Sequence, residues 1–128
     1  MVARVKNMSV IMLVLLCVIL GVVGQLSMKK GTNTIGDISL RDIFSTKVFS
    51  ILLQKYILIG MILYVLASLI WLAALSREEL SFLYPLIAIG YILTAILGKI
   101  FFDESLTFWR FFGILLICGG VYLIVLKV

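Results

Sequence analysis

The sequence predicts an all-α membrane protein with four transmembrane helices per chain, on three observations. Of its 128 residues, 64% are hydrophobic and 13% are charged, whereas soluble domains hold about 45–50% apolar and about 25% charged residues. Mean hydropathy is +1.29, and a soluble fold of this size leaves roughly 30% of its chain surface in water. The apolar residues fall into four runs, each near the ~20 residues a helix needs to cross about 30 Å of hydrocarbon. A soluble enzyme and a disordered chain are both excluded, and the length suits one domain, 1–128.

The first span, 9–28, is apolar apart from Ser9, Gln25 and Ser27. Arg4 and Lys6 precede it, and Val22 and Gly24 loosely fit a signal-cleavage rule. The run exceeds the 7–15 residues typical of cleavable signals, so it is expected to remain as a span. The connection 29–55 opens with Gly31, Asn33, Gly36 and Asp37. It then alternates Leu40, Ile43, Phe44, Val48 and Phe49 with Arg41, Asp42 and Lys47. That pattern suits either an interfacial helix over 40–50 or an extended start to the second span.

The second span, 56–75, contains Ser68. The turn 76–81 leads to the third span, 82–102, with Pro85, Thr94 and Lys99. Pro85 costs little in a first turn and bends a helix that begins earlier. A turn over 103–107 leads to the last span, 108–126, where Arg110 is the one charge. Arg4, Lys6, Arg77 and Lys127 fall on one side. Lys29, Lys30, Arg41, Lys47, Lys55 and Arg110 fall on the other, with Lys99 nearby. The excess favours a cytoplasmic position for the first and third connections, by a margin small enough to leave dual insertion open.

The chain has no histidine, and its two cysteines, Cys17 and Cys118, sit inside apolar runs. Neither a metal cluster nor a disulfide is expected, and no cofactor is implied. The net charge of +5 flanks the spans, which points to lipid headgroups and away from nucleic acid. All six acids, Asp37, Asp42, Glu78, Glu79, Asp103 and Glu104, lie in connections. Intramembrane ionisable residues mark proton and ion paths, and Lys99 is the one at depth. No carboxylate inside a span is available to bind a proton or cation. The adjacent acid pairs on turns make no catalytic constellation, so no catalytic residue and no enzyme activity are expected.

Polar and aromatic residues share helix faces. Gly21, Gln25 and Met28 align in the first span. Gly60, Tyr64, Ser68 and Trp71 align in the second, and Tyr84, Ala88, Tyr91, Ala95 and Lys99 in the third. Turned inward, these faces would wall a chamber cationic at one end. Candidate substrate-binding residues are Gln25, Tyr64, Trp71, Tyr84, Tyr91 and Lys99. An interfacial belt also accounts for Tyr84 and Tyr56, snorkelling for Lys99, and a bond to a neighbouring helix for Gln25. Gly113 and Gly120, with Gly119 beside them, form a small-residue face suited to a dimer seam or to internal packing.

These residues resemble the drug/metabolite transporter superfamily. The resemblance runs through Gly24-Gln25-Leu26-Ser27-Met28-Lys29-Lys30-Gly31, Trp71-Leu72-Ala73-Ala74-Leu75, Tyr84-Pro85-Leu86 and Phe102-Asp103-Glu104-Ser105-Leu106-Thr107. The stretch from Gly113 to Gly120 and Val121 is similar to the fourth helix of small multidrug resistance proteins, where it is the dimer contact. Drug exporters of that family carry a glutamate in helix one, and the matching position here is Gly21. Gly24-Gln25-Leu26 and Tyr84-Pro85 are closer to the paired subunits that flip undecaprenyl-phosphate-linked aminoarabinose.

The resemblance implies four helices per chain, working as a homodimer or as a heterodimer with a related four-helix chain, multi-pass in the cytoplasmic (inner) membrane. It implies a flippase that moves a polyprenyl-phosphate-linked sugar by alternating access. Lys99, or Lys29 and Lys30, would pair with the phosphate, and the sugar would stack on Trp71 or the tyrosines. A small multidrug resistance-like exporter of an organic cation or metabolite is the alternative. A non-transporting membrane subunit is the third reading.

Overall fold

Four apolar helical spans build the structure. The computed structural model describes residues 2–126, with side chains from Met8 onward. Arg4, Lys6 and Lys127, which enter the expected charge bias, lie outside the described side chains. The helices are α1 (Val2–Ile35), α2 (Leu40–Ile43), α3 (Lys47–Leu52), α4 (Lys55–Leu75), α5 (Leu80–Ile87), α6 (Ile89–Phe102) and α7 (Phe108–Leu126). No strand occurs among the described residues. The spans long and apolar enough to cross a bilayer are Met8–Ile35, Lys55–Leu75, Leu80–Phe102 and Phe108–Leu126.

The first span continues beyond the expected end at 28. Within these added turns Thr32 and Thr34 donate their hydroxyls back to the carbonyls of Lys29 and Lys30. Gly36 ends the helix. Its φ of +94° is open to a residue without Cβ, and its N–H closes on the Thr32 carbonyl at 2.8 Å. The 28 residues from Met8 to Ile35 reach about 42 Å, longer than the hydrocarbon core, so one end stands at headgroup level.

The connection that follows forms two short helices rather than one over 40–50. Ser39 and Asp42 make a capping box at the start of α2. The Ser39 N–H holds the Asp42 carboxyl below its ordinary range, helped by the Ser39 hydroxyl and by Lys47. Ser45 then interrupts the helix, donating its hydroxyl to the Asp42 carbonyl and accepting from the Lys47 N–H. Leu40, Phe44, Phe49 and Leu53 stand exposed along this segment, as side chains that enter a lipid interface do.

α1 is central. On one side it packs antiparallel against α4 in the most extensive helix contact of the bundle. Small residues recur every seven positions on both partners: Cys17, Gly24 and Gly31 on α1, and Gly60, Ala67 and Ala74 on α4. A seven-residue period keeps such positions on one seam. A Cβ at Gly24 would lie 2.9 Å from the Gly60 carbonyl oxygen, and one at Gly60 would lie 2.5 Å from that of Gly24. The backbones therefore approach as only glycine permits. Ser27 Oγ donates to the Tyr56 carbonyl at 2.7 Å, and the Cys17 thiol donates to that of Ala67 at 3.2 Å.

On its other side α1 presents Val10, Val14, Val18 and Val22. This four-residue ridge is buried with Phe82, Leu83 and Leu86 of α5 and with Ala74. Gly90 of α6 lets the ridge come close, since a Cβ there would meet Val18 at 3.3 Å. The third span is broken. Pro85 has no N–H to give the helix, and three residues later Ala88 donates to the Pro85 carbonyl in a tighter i→i+3 turn before α6 begins. α7 packs on α5 and α6 and buries no residue fully.

Gly60→Val places its added carbon against the Gly24 carbonyl and the Met28 backbone, neither of which can rotate away. Overpacking of this kind costs about 1–3 kcal/mol. Thermal unfolding in detergent is expected to show a lowered midpoint for Gly60→Val. Gly113→Val, at a site where nothing lies within 4 Å, is expected to unfold as the wild type does. Equal midpoints for wild type and Gly60→Val would contradict the seam.

Candidate functional site

With α4 on one side of α1 and the α5–α6 pair on the other, a cleft of about 520 Å³ opens between them. α4 and α6 share no substantial contact. The floor is α1, through Cys17, Val18, Gly21, Val22 and Gln25. One wall is α4, through Tyr64, Ala67, Ser68 and Trp71. The other carries Tyr84, Ile87, Gly90, Tyr91 and Thr94. At Gly21 a Cβ would meet nothing within 4 Å, so any side chain there would enter the cleft.

At the end beside the turn between α4 and α5, Trp71 and Tyr84 meet edge to face, with centroids 6.0 Å apart and planes at 79°. This geometry favours aromatic pairs. Gln25 and Thr94 mark the opposite end, where α4 begins and α6 finishes. The lining has no aspartate, glutamate, lysine or arginine. Ser68 donates its hydroxyl to the Tyr64 carbonyl, and Thr94 donates its own to Gly90. Their oxygens therefore remain as acceptors. Tyr64, Tyr84 and Tyr91 are at least half exposed. The result is a neutral, electron-rich surface of rings, hydroxyls and one amide. It can stack on a ring and hydrogen-bond hydroxyls.

Of the expected site residues, Gln25, Tyr64, Trp71, Tyr84 and Tyr91 come together here. Lys99 does not line the cleft. It is exposed in the last turn of α6, five residues or about 7.5 Å beyond Thr94. The lining phase of the third span is 84, 87, 91, 94 rather than 84, 88, 91, 95, 99. Ala88, at the break, faces a separate apolar groove with Ile92, Cys118 and Val121. Gly60 lies in the α1–α4 seam instead of on the aromatic wall. Sequence reasoning missed Cys17, Ala67, Gly90 and Thr94 as lining residues. The seven-residue spacing of small residues was the signal that could have found the first two.

The two parts of the expected dimer surface separate. Gly113 and Gly120 have open space where a Cβ would be. Val121 packs against the chain's own core. At the connection end of the bundle, Lys29 and Lys30 lie in the last two turns of α1, Lys55 begins α4, Arg110 is in the first turn of α7 and Lys99 in the last turn of α6. Alternating spans thus gather these cations at one bilayer face, beyond the Gln25 end of the cleft.

No family model matches the chain, and no solved structure matches it. Curated relatives do. It is 32% identical over 107 residues to a probable 4-amino-4-deoxy-L-arabinose-phosphoundecaprenol flippase subunit ArnF of Proteus mirabilis, covering 80% of each chain. It is 30% identical over 115 residues to the corresponding probable subunit ArnE of Hamiltonella defensa, covering 88% of this chain and 93% of the relative. A probable ArnF of Sodalis glossinidius is 41% identical over 69 residues, and there the match spans about half of each chain, 52% and 53%. With two alignments running over most of both partners, this multi-pass membrane chain belongs to the family of 4-amino-4-deoxy-L-arabinose-phosphoundecaprenol flippase subunits.

Proposed function

We propose that the chain is one subunit of a transporter that flips a polyprenyl-phosphate-linked amino sugar across the inner membrane, and that it is not an enzyme. The observation that carries this reading is the cleft itself: aromatic, hydroxyl-bearing and free of charge, with cations gathered beyond one end. The sugar lies against Trp71, Tyr84, Tyr64 and Tyr91, with Gln25 bonding its hydroxyls. The phosphate stays toward the cationic end, which includes Lys29, Lys30 and Lys99. The polyprenyl tail leaves through the open side between α4 and α6 and remains in lipid.

Alternating access then has a physical basis. The α1–α4 seam moves as one body, because its backbones interlock. The third span rocks on the valine ridge, with the break at Ala88 as its flexible joint. A related four-helix chain packs on the outward Gly113–Gly120 face, where small residues allow close approach in lipid. Export of an organic cation is the weaker reading, since Gly21 supplies no carboxylate to the cleft.

The test uses vesicles holding the chain with its partner subunit and the undecaprenyl-phosphate-linked amino sugar, with arrival scored by a membrane-impermeant amine reagent. Trp71→Ala removes a stacking surface worth about 1 kcal/mol or more and is expected to slow flipping at least several-fold. Gly21→Leu fills open space, so it is expected to block flipping while leaving the unfolding midpoint unchanged. Lys99→Gln is expected to weaken flipping without abolishing it. Wild-type rates in both Trp71→Ala and Gly21→Leu would refute the placement of the headgroup.

A further inference from the structure

Lys30 stands beside Gly31, the last seam residue of α1, and Lys55 begins α4. Both ammonium groups converge on one ring. Lys30 Nζ lies 4.5 Å from the Tyr56 centroid, and Lys55 Nζ lies 5.8 Å from it. Two like charges are thus held no farther apart than the sum of those distances. Among the described residues the one ion pair is Lys47–Asp42, so neither lysine is neutralised by a carboxylate. Asp42 is engaged by Ser39 and Lys47, and the Glu104 carboxylate folds over Gly98.

The backbone around the pair is pinned. Gly31, next to Lys30, is wedged against Gln54 and Ile57. The Tyr56 carbonyl accepts from Ser27. Gln54 Oε1 already takes the N–H groups of Tyr56 and Ile57, each at 2.9 Å. An anion arriving here is therefore met by two ammonium groups beside the Tyr56 ring rather than by the Tyr56 and Ile57 amides.

We propose that Lys30, Lys55 and Tyr56 form a seat for a lipid phosphate at the end of the α1–α4 seam. A phosphate bridging the two lysines accepts charge-assisted hydrogen bonds from both. Lys30 is five residues beyond Gln25 on α1, about 7.5 Å along the axis and about 140° around it, so a phosphate seated there lies at the Gln25 end of the bundle but on another face of α1 from the cleft lining. The identity of the lipid rests on the flippase reading, but the phosphate chemistry does not.

Native mass spectrometry of the full-length chain, released from detergent with a defined lipid, tests this. The probes are undecaprenyl phosphate, phosphatidylglycerol and, as a phosphate-free match, undecaprenol. Wild type is expected to retain undecaprenyl phosphate far better than undecaprenol. Lys30→Gln with Lys55→Gln is expected to lower that retention about tenfold or more, two charged hydrogen bonds being lost. Lys30→Arg with Lys55→Arg is expected to keep it. Arg41→Gln with Lys47→Gln, which removes equal charge from the same end, is expected to leave it unchanged.

Loss confined to undecaprenyl phosphate identifies a substrate seat. Equal loss of phosphatidylglycerol identifies a seat for lipid phosphate in general, and both results support the proposal. Unchanged retention in the double glutamine variant, equal loss in the Arg41/Lys47 control, or equal retention of undecaprenol by wild type overturns it. A chain that retains the phosphate but moves no lipid would keep the seat and sink the flippase reading.

Discussion

The contact between Gly24 and Gly60 governs the rest of the structure. Between helices in a bilayer the hydrophobic effect is absent, and association depends on close packing and hydrogen bonds. Two glycines bring the α1 and α4 backbones together, and Ser27 and Cys17 bond carbonyls across the same seam. α4 is thereby committed to one side of α1. The valine ridge commits α5 and α6 to another. The gap left between these two commitments is the cleft, and its floor is open because Gly21 has no side chain. The close contact at Gly24 and the open space at Gly21 lie less than one turn apart on the same helix.

The separation of charge follows from the same geometry. Placing a charged group near the bilayer centre costs about 2.5–3.5 kcal/mol even on the milder scales. The chain places none in the cleft lining and gathers its cations at the span ends. A neutral interior of rings and acceptor oxygens suits a sugar, which brings many hydroxyls. A cationic rim suits a phosphate, which need not cross the hydrocarbon unaccompanied if the rim meets it. The break after Pro85 lies within one wall of the cleft, while the interlocked seam opposite has no comparable joint.

Much of this was legible in the sequence, and for identifiable reasons. Four runs of apolar residues gave four spans because hydrocarbon thickness dictates their length. Gln25, Tyr64, Trp71, Tyr84 and Tyr91 reach one cleft because a period of 3.6 residues marks a face without knowledge of its neighbours. Lys99 was placed on that face by extending the period through Ala88, where the broken helix changes phase. Gly60 was read as part of the aromatic wall because a glycine on a stripe does not reveal whether it borders space or backbone. The polar turns after Met28 looked like a loop, but Gly31 packs closely on α4 and the helix carries on to Ile35. Val121 was grouped with the glycines beside it, although one residue step rotates a side chain by 100° and turns this one inward.

The central claim is that the space between α1, α4 and α6 is a polar passage within the membrane. Cysteine accessibility measures this most directly. In a background with Cys17 and Cys118 replaced by serine, Ser68→Cys faces the cleft and Leu69→Cys, one position on, faces outward. In intact membranes a charged, water-borne maleimide is predicted to label Ser68→Cys and to leave Leu69→Cys unmodified. Protection of Ser68→Cys to the same degree as Leu69→Cys would mean that water does not reach the cleft, contradicting the account.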